Sequence, residues 1–128
     1  MKRAIAVIII TVSLLTLAIT EVILVEKVIS TLEADVSQLY DDILENKPDV
    51  DVLEPQVKDI KDRWNKDESR LCIMFNHKDL SIITDTLTRL YSCIQQNNFD
   101  DAFIEVSLLK ESTVKNRDVM SFSIQNLL

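Results

Sequence analysis

Glycine is absent from all 128 residues, and proline, cysteine and histidine number only two, two and one. An average composition would supply roughly nine glycines to a chain of this length. Without them there is no G-x-G-x-x-G dinucleotide fingerprint, no Walker-type phosphate loop and no G-x-S-x-G nucleophile elbow. Positive charge is also short. The net charge of −7 argues against a nucleic-acid partner, whose phosphates would repel an acidic surface. With 27% charged and 47% hydrophobic residues, the composition is neither that of a disordered chain nor that of a fully buried membrane protein. The length allows one domain with a modest core. No reaction and no ligand can be read from these numbers; a location and an architecture can.

What is present begins with an apolar run. After Met1-Lys2-Arg3, residues 4–20 carry no charge and are mostly Ile, Val, Leu and Ala. Seventeen helical residues cover ~25 Å, and extension to Val25 reaches the ~30 Å of a bilayer's hydrocarbon layer. The extension includes Glu21, which at one end of the span can reach headgroups and water. Residues 4–25 are therefore expected to contact the lipid bilayer as one transmembrane helix. Lys2 and Arg3 precede it, and Glu21 and Glu26 follow with only Lys27 nearby. The positive-inside rule then keeps the N-terminus cytoplasmic and places the C-terminal domain outside the cell membrane. The rival reading is a cleaved signal peptide, with Thr16-Leu17-Ala18 as the small-x-small site, although the apolar run continues past it. Beyond the span, twelve basic residues face twenty-one acidic ones, a net −9 over residues 21–128.

The rest of the chain has helical period throughout. Val22, Val25, Ile29, Leu32, Val36, Leu39 and Ile43 recur at alternating steps of 3 and 4, the seam of a heptad. The membrane helix is thus expected to continue without a break to about Glu45. Asn46-Lys47-Pro48-Asp49 stops it, because the residue before a proline is pushed out of the helical region. A second helix should start within Asp51 to Pro55, with Asp51 and Glu54 resembling a capping box. It presents Leu53, Val57, Ile60, Trp64, Leu71 and Phe75. A break over Asn76–Asp79 precedes a third helix with Leu80, Ile83, Leu87, Leu90 and Ile94. Asn97-Asn98 ends that one, and Asn98 can cap a fourth, from about Phe99 onward, offering Phe103, Val106, Leu109 and Met120. No stretch alternates with period two, so no strands are expected. Asn46, Asn76 and Asn97 stand where helices commonly end in a left-handed glycine.

A repeat is visible in this pattern. An offset of 51 lays Leu39-Tyr40, Ile43 and Asn46 over Leu90-Tyr91, Ile94 and Asn97. Past the loop the offset becomes 49, laying Asp51, Val57, Lys61 and Lys66 over Asp100, Val106, Lys110 and Lys115. Ile60 then overlies Leu109 and Leu71 overlies Met120, while Trp64 stands opposite Thr113. The fold class expected is all-α: an N-terminal transmembrane helix continuing into a four-helix bundle made of two repeated αα-hairpins. The domains are then an anchor at 1–25 and a helical domain at 26–128, with hairpins at about 26–76 and 79–128.

One family shares these features. The basic-then-apolar start, the Trp64 helix, Phe75-Asn76-His77-Lys78-Asp79-Leu80-Ser81-Ile82-Ile83, Leu90-Tyr91, Asp100-Asp101-Ala102 and Ser123-Ile124-Gln125-Asn126-Leu127 resemble the uncharacterised bacterial domain-of-unknown-function family 4363, found mainly in Clostridia. The resemblance covers nearly the whole chain and implies a small, membrane-anchored, all-helical protein. It carries no catalytic or binding residues across. Thr113 is a departure, since family members often have an aromatic there.

Candidate chemistry is sparse. His77 has Cys72 as its nearest soft ligand, and one of each falls short of a zinc site. A turn-capping or packing role for His77 outweighs a nucleophilic pairing with Cys72, which lacks any sequence signature. If the second and third helices form a hairpin turning at 76–79, Cys72 and Cys93 lie ~15 Å apart along its axis, too far to bridge. Two free thiols are expected. Asp41, Asp42, Glu45, Asp49, Asp51 and Glu54 surround the first loop, but no D-x-D-x-D-G pattern is there to build a calcium loop. A solvated acidic surface is the better reading. Trp64, Tyr40 and Tyr91 read as seam packing rather than ligand stacking. The expectation is a protein without catalytic, cofactor-binding or metal-binding residues and not an enzyme: an extracytoplasmic module for protein–protein interaction or self-association. The alternative is an extracytoplasmic sensor or ligand-binding four-helix bundle acting through a partner protein.

Overall fold

The computed structural model describes residues 1–45, 49–72 and 75–127, and side chains as far as residue 118. Its elements are α1 (Lys2–Leu44), α2 (Val50–Leu71), α3 (His77–Gln95) and α4 (Phe99–Leu127). With no glycine or proline before Pro48, nothing interrupts α1, and its 43 residues extend roughly 65 Å. The whole of 4–20 is exposed, and burial begins at Val25. From there Val25, Ile29, Leu32, Val36, Leu39 and Ile43 are all buried, so the heptad seam is the core face of α1.

The second helix starts one residue before the expected range. Asp49, not Asp51, is its cap, and the Asp49 carboxylate accepts the Asp51 backbone N–H at 2.9 Å. Pro55 consequently lies inside α2 rather than at its start. Both Pro55 and Asp51 are exposed, so water can take the Asp51 carbonyl that the missing N–H leaves free. The helix also ends earlier, at Leu71; Phe75 is buried but sits beyond it, with its N–H on the Leu71 carbonyl at 2.9 Å. Asn98 caps α4 as expected, its side chain accepting the Asp101 N–H at 3.3 Å. Asn97 takes the left-handed conformation, φ 56°, that the absent glycine would otherwise supply. Asn76 does not: it is the N-cap of α3, in extended conformation, and accepts the Lys78 N–H at 2.9 Å. Asn46 and the Met120 side chain lie outside the described residues.

The four helices form an antiparallel ring in which α1 packs on α2 and α4, and α3 on α2 and α4. Antiparallel order is fixed by cross-links. Arg63 meets Asp35 at 2.9 Å while Gln56 meets Asp42 at 3.1 Å; Arg117 meets Glu33 at 2.9 Å while Lys110 covers the Tyr40 ring. The exposed apolar part of α1 therefore joins the bundle at one end, the near end, together with the α2–α3 turn and the late residues of α4. The other two connections lie at the far end.

Burial follows the two offsets. Ile29, Leu32, Val36, Leu39 and Ile43 correspond to Leu80, Ile83, Leu87, Leu90 and Ile94, and Leu53, Val57, Ile60 and Trp64 to Ala102, Val106, Leu109 and Thr113; every one is buried. Contacts correspond too. Lys61 of α2 stands over the Tyr91 ring of α3 at 5.3 Å, and the equivalent Lys110 of α4 over the equivalent Tyr40 of α1 at 4.4 Å. Tyr91 donates to Glu54 at 3.2 Å, and the matching pair is the Tyr40–Phe103 ring contact, 5.4 Å between centroids. The two hairpins are thus related by an approximate internal two-fold.

Candidate functional site

The two halves differ most at one pair of equivalent positions. Trp64 is 2% exposed, and its indole N–H reaches across to the Thr84 hydroxyl at 2.9 Å. Thr113, its counterpart on α4, is fully buried and turns its hydroxyl back to the Lys110 carbonyl at 2.8 Å. The fourth helix packs about equally closely on α3 and on α1. The α1–α2 interface, beside Trp64, is the thinnest of the ring.

The opening left between α1 and α2 is a groove of about 180 Å³ at the near end. Val28 and Leu32 of α1 with Ile60 and Trp64 of α2 form its floor, and its rim carries Lys27, Asp35, Arg63 and Asp67. The upper rim is closed by Arg63, which pairs with Asp35 at 2.9 Å and with Asp59 at 3.0 Å. The lower rim is open: Lys27 and Asp67 line the same groove yet make no ion pair among the described residues. Periodicity alone marks Trp64 as seam packing and gives no reason to single out Lys27 or Asp67. The signal the sequence does hold is the mismatch of Trp64 with Thr113 at matched repeat positions.

The residues singled out from sequence are not assembled into a site. His77 does not cap the turn, a task Asn76 performs; it is the exposed first residue of α3, with Nδ1 3.9 Å from the Cys72 sulfur. Both cysteines are free, Cys72 exposed and Cys93 half-buried. Burial pushes the Cys93 thiol above its ordinary pKa; the Asp101 and Glu105 carboxylates add to that, and Arg89 opposes it. Tyr91 is likewise raised, by burial first and then by its hydrogen bond to Glu54. The Glu33 carboxylate hydrogen-bonded to Arg117 raises the guanidinium further.

Several of the loop acids have structural partners. Asp42 accepts from Gln38 at 3.0 Å and Gln56 at 3.1 Å, Asp49 caps α2, and Glu54 accepts from Tyr91 and Gln95 at 3.2 Å each. Among the described residues no three His, Cys, Asp or Glu side chains converge as a metal site would require. Together with Asp100 and Asp101 these acids give the far end its negative charge. The α1 heptad offers no free seam, because α2 and α4 cover it.

At the near end, α1 is long and apolar enough to cross a membrane, with a mean hydropathy of 2.5 over its best window and none of that window buried. Comparison with curated proteins and with solved structures yields no match. A family model, Domain of unknown function (DUF4363), matches residues 20–127, beginning where the exposed apolar run gives way to the bundle. Over a match of that extent, with the same helical frame the sequence resemblance implied, the chain belongs to the DUF4363 family.

Proposed function

We propose that the chain is a non-catalytic, single-pass membrane module: residues 1–3 cytoplasmic, residues 4–25 in the bilayer, and the four-helix domain presented outside to a protein partner. The carrying observation is α1 itself. One uninterrupted helix exposes an uncharged apolar run and then, within two turns, becomes the core strut of the bundle. Exposing seventeen mostly apolar residues to water is strongly unfavourable, at about 25 cal/mol per Å², and a bilayer removes that cost. Lys2 and Arg3 before the run, against Lys27 alone just after it, support this direction.

A protein partner finds its footing on the outer face of α4, where Ile104, Leu108 and Val114 are exposed. Self-association through the α1 heptad is not part of the reading, since that seam is filled from within. Protease treatment of intact cells tests the topology: the bundle is expected to be digested while an N-terminal tag survives, and a protected bundle overturns the orientation. Mass measurement of the mature chain separates anchor from cleaved signal, with loss of residues up to about 18 defeating the anchor.

A second reading, a ligand-sensing bundle that signals through a partner, is favoured by the groove beside Trp64. Ligand binding to the native state would raise the unfolding midpoint.

A further inference from the structure

We infer that residues 119–127 of α4 are a second membrane contact, a foot that enters the leaflet α1 emerges from. The inference rests on the membrane reading above and goes beyond it, since an anchor alone requires nothing of α4. Three observations carry it: the depth that the antiparallel register gives α4, its length beside its repeat counterpart, and the loss of charge over its last turns.

Axial levels follow from the cross-links between helices. Arg117 meets Glu33 at 2.9 Å, so Leu127, ten residues on, is level with Ile23 of α1. Tyr40 lies against both Phe103 and Lys110, which sets Leu127 lower still, near Thr20. The second helix does not reach this depth. Arg63 meets Asp35 at 2.9 Å, so Leu71, where α2 ends, is level with Lys27. The tip of α4 therefore descends roughly four to seven residues further, ~6–10 Å. A headgroup layer is about 5–7 Å deep on each side of the hydrocarbon. Measured from Val25, where the expected span closes, residues 121–127 cross that layer and their tip reaches the hydrocarbon edge. Burial on α1 agrees: Glu21, Val22 and Leu24 are half-buried below the level of Leu71, whereas residues 4–20 are exposed.

The repeat makes the same extension visible. α4 has 29 residues and its counterpart α2 has 22, and the offset of 49 lays Phe99 over Val50 and Met120 over Leu71. The seven residues after Met120 thus have no equivalent in α2. The buried face of α4 runs through Ala102, Val106, Leu109, Thr113 and Asn116, and helical spacing carries it on to Met120, Ile124 and Leu127. Ile124 and Leu127 therefore hold seam positions at a depth where α2 no longer helps to close the ring.

Composition changes with depth as well. Residues 99–118 include eight charged side chains and residues 119–127 none, although residues 63–71, the last nine of α2, include five. Charge is costly in hydrocarbon and cheap in water, so its loss over this stretch suits a bilayer and not an aqueous surface. A partner protein in the aqueous phase has no access at this depth. The foot stands one interhelical distance, about 8–10 Å, to the side of α1. It gives the bundle a second point of support and fixes which of its faces leans toward the membrane.

The test uses the full, unmodified chain in phosphatidylcholine vesicles doped with a lipid that carries a diazirine high on its acyl chain. After irradiation, peptide mapping should find lipid adducts on residues 119–127 as well as on the apolar run of α1, and severalfold fewer on residues 63–71 of α2. Adducts confined to α1 overturn the foot and leave the anchor standing; a chain without adducts on α1 defeats the anchor too. Depth is read separately with a spin label at Leu127→Cys, in a chain carrying Cys72→Ser and Cys93→Ser, against the same label at exposed Lys115→Cys. The ratio of oxygen to nickel-chelate accessibility should be severalfold higher at position 127 than at 115. Equal ratios place the tip in water, and low access to both reagents places it under protein; either result overturns the foot.

Discussion

The bond from Trp64 to Thr84 can be weighed by a double-mutant cycle. Trp64→Phe removes the donor and part of the ring from a position only 2% exposed, but it orphans nothing, because the Thr84 hydroxyl still donates to the Leu80 carbonyl at 3.3 Å. Its cost should be about 2–3 kcal/mol, of which ~1 kcal/mol is the hydrogen bond and the rest lost packing. Thr84→Val leaves the indole N–H without its acceptor next to an open groove, at about 1 kcal/mol. Made on top of Trp64→Phe, the same threonine change should cost almost nothing, giving a coupling near 1 kcal/mol. Urea unfolding of the full chain in detergent, followed by far-UV circular dichroism, measures all four corners. Two changes that add within about 0.3 kcal/mol would refute the claim that the bond ties α2 to α3.

Asn97→Ala should destabilise by about 1 kcal/mol, because φ 56° is costly for a side chain that cannot bond locally, and Asn97→Gly should be neutral or stabilising; equal effects on the melting midpoint would contradict that. Alkylation with a small maleimide should modify exposed Cys72 well before Cys93, whose thiol is half-buried and raised, as peptide mass mapping will show. Tyr91 has a folded pKa above its unfolded value of about 10, so its contribution is intact below that pH and lost as pH rises through the folded value. Stability should therefore decline above about pH 10, less so in Tyr91→Phe, as alkaline melting curves can test. Arg117→Ala should barely move the urea midpoint despite its 2.9 Å ion pair, since the guanidinium is more than half exposed and screened by water; a clear drop in that midpoint would contradict this.

The fold is legible in the sequence because each helix signals its buried face at steps of 3 and 4. Val25 to Ile43 and Leu80 to Ile94 are read directly from that spacing. The fourth helix is harder to read, since Ala102, Thr113 and Asn116 are buried without being large or apolar. They fill the places where a close neighbour leaves room only for a small or self-bonded side chain, a tertiary fact that local periodicity does not carry. The start of α2 is misleading because Pro55 resembles a first-turn residue; an exposed carbonyl makes a proline tolerable one turn later. The groove is hidden for a different reason. Lys27 and Asp67 are ordinary surface charges on their own helices, and only the antiparallel packing of α2 against α1 places them on one rim.

The uninterrupted course of α1 has a mechanical consequence. No loop separates the apolar run from the bundle, so in the proposed membrane arrangement the pair would behave as a rigid boom hinged at the bilayer rather than a ball on a string. Residues 26–44 project about 28 Å beyond the apolar run, and a tilt of ~20°, ordinary for a single span, would sweep the acidic far end sideways by about 10 Å. A thinner or thicker bilayer would change that tilt, and the bundle would convert the change into displacement of its outermost surface. The far end would therefore register membrane thickness as position, with no moving part inside the protein.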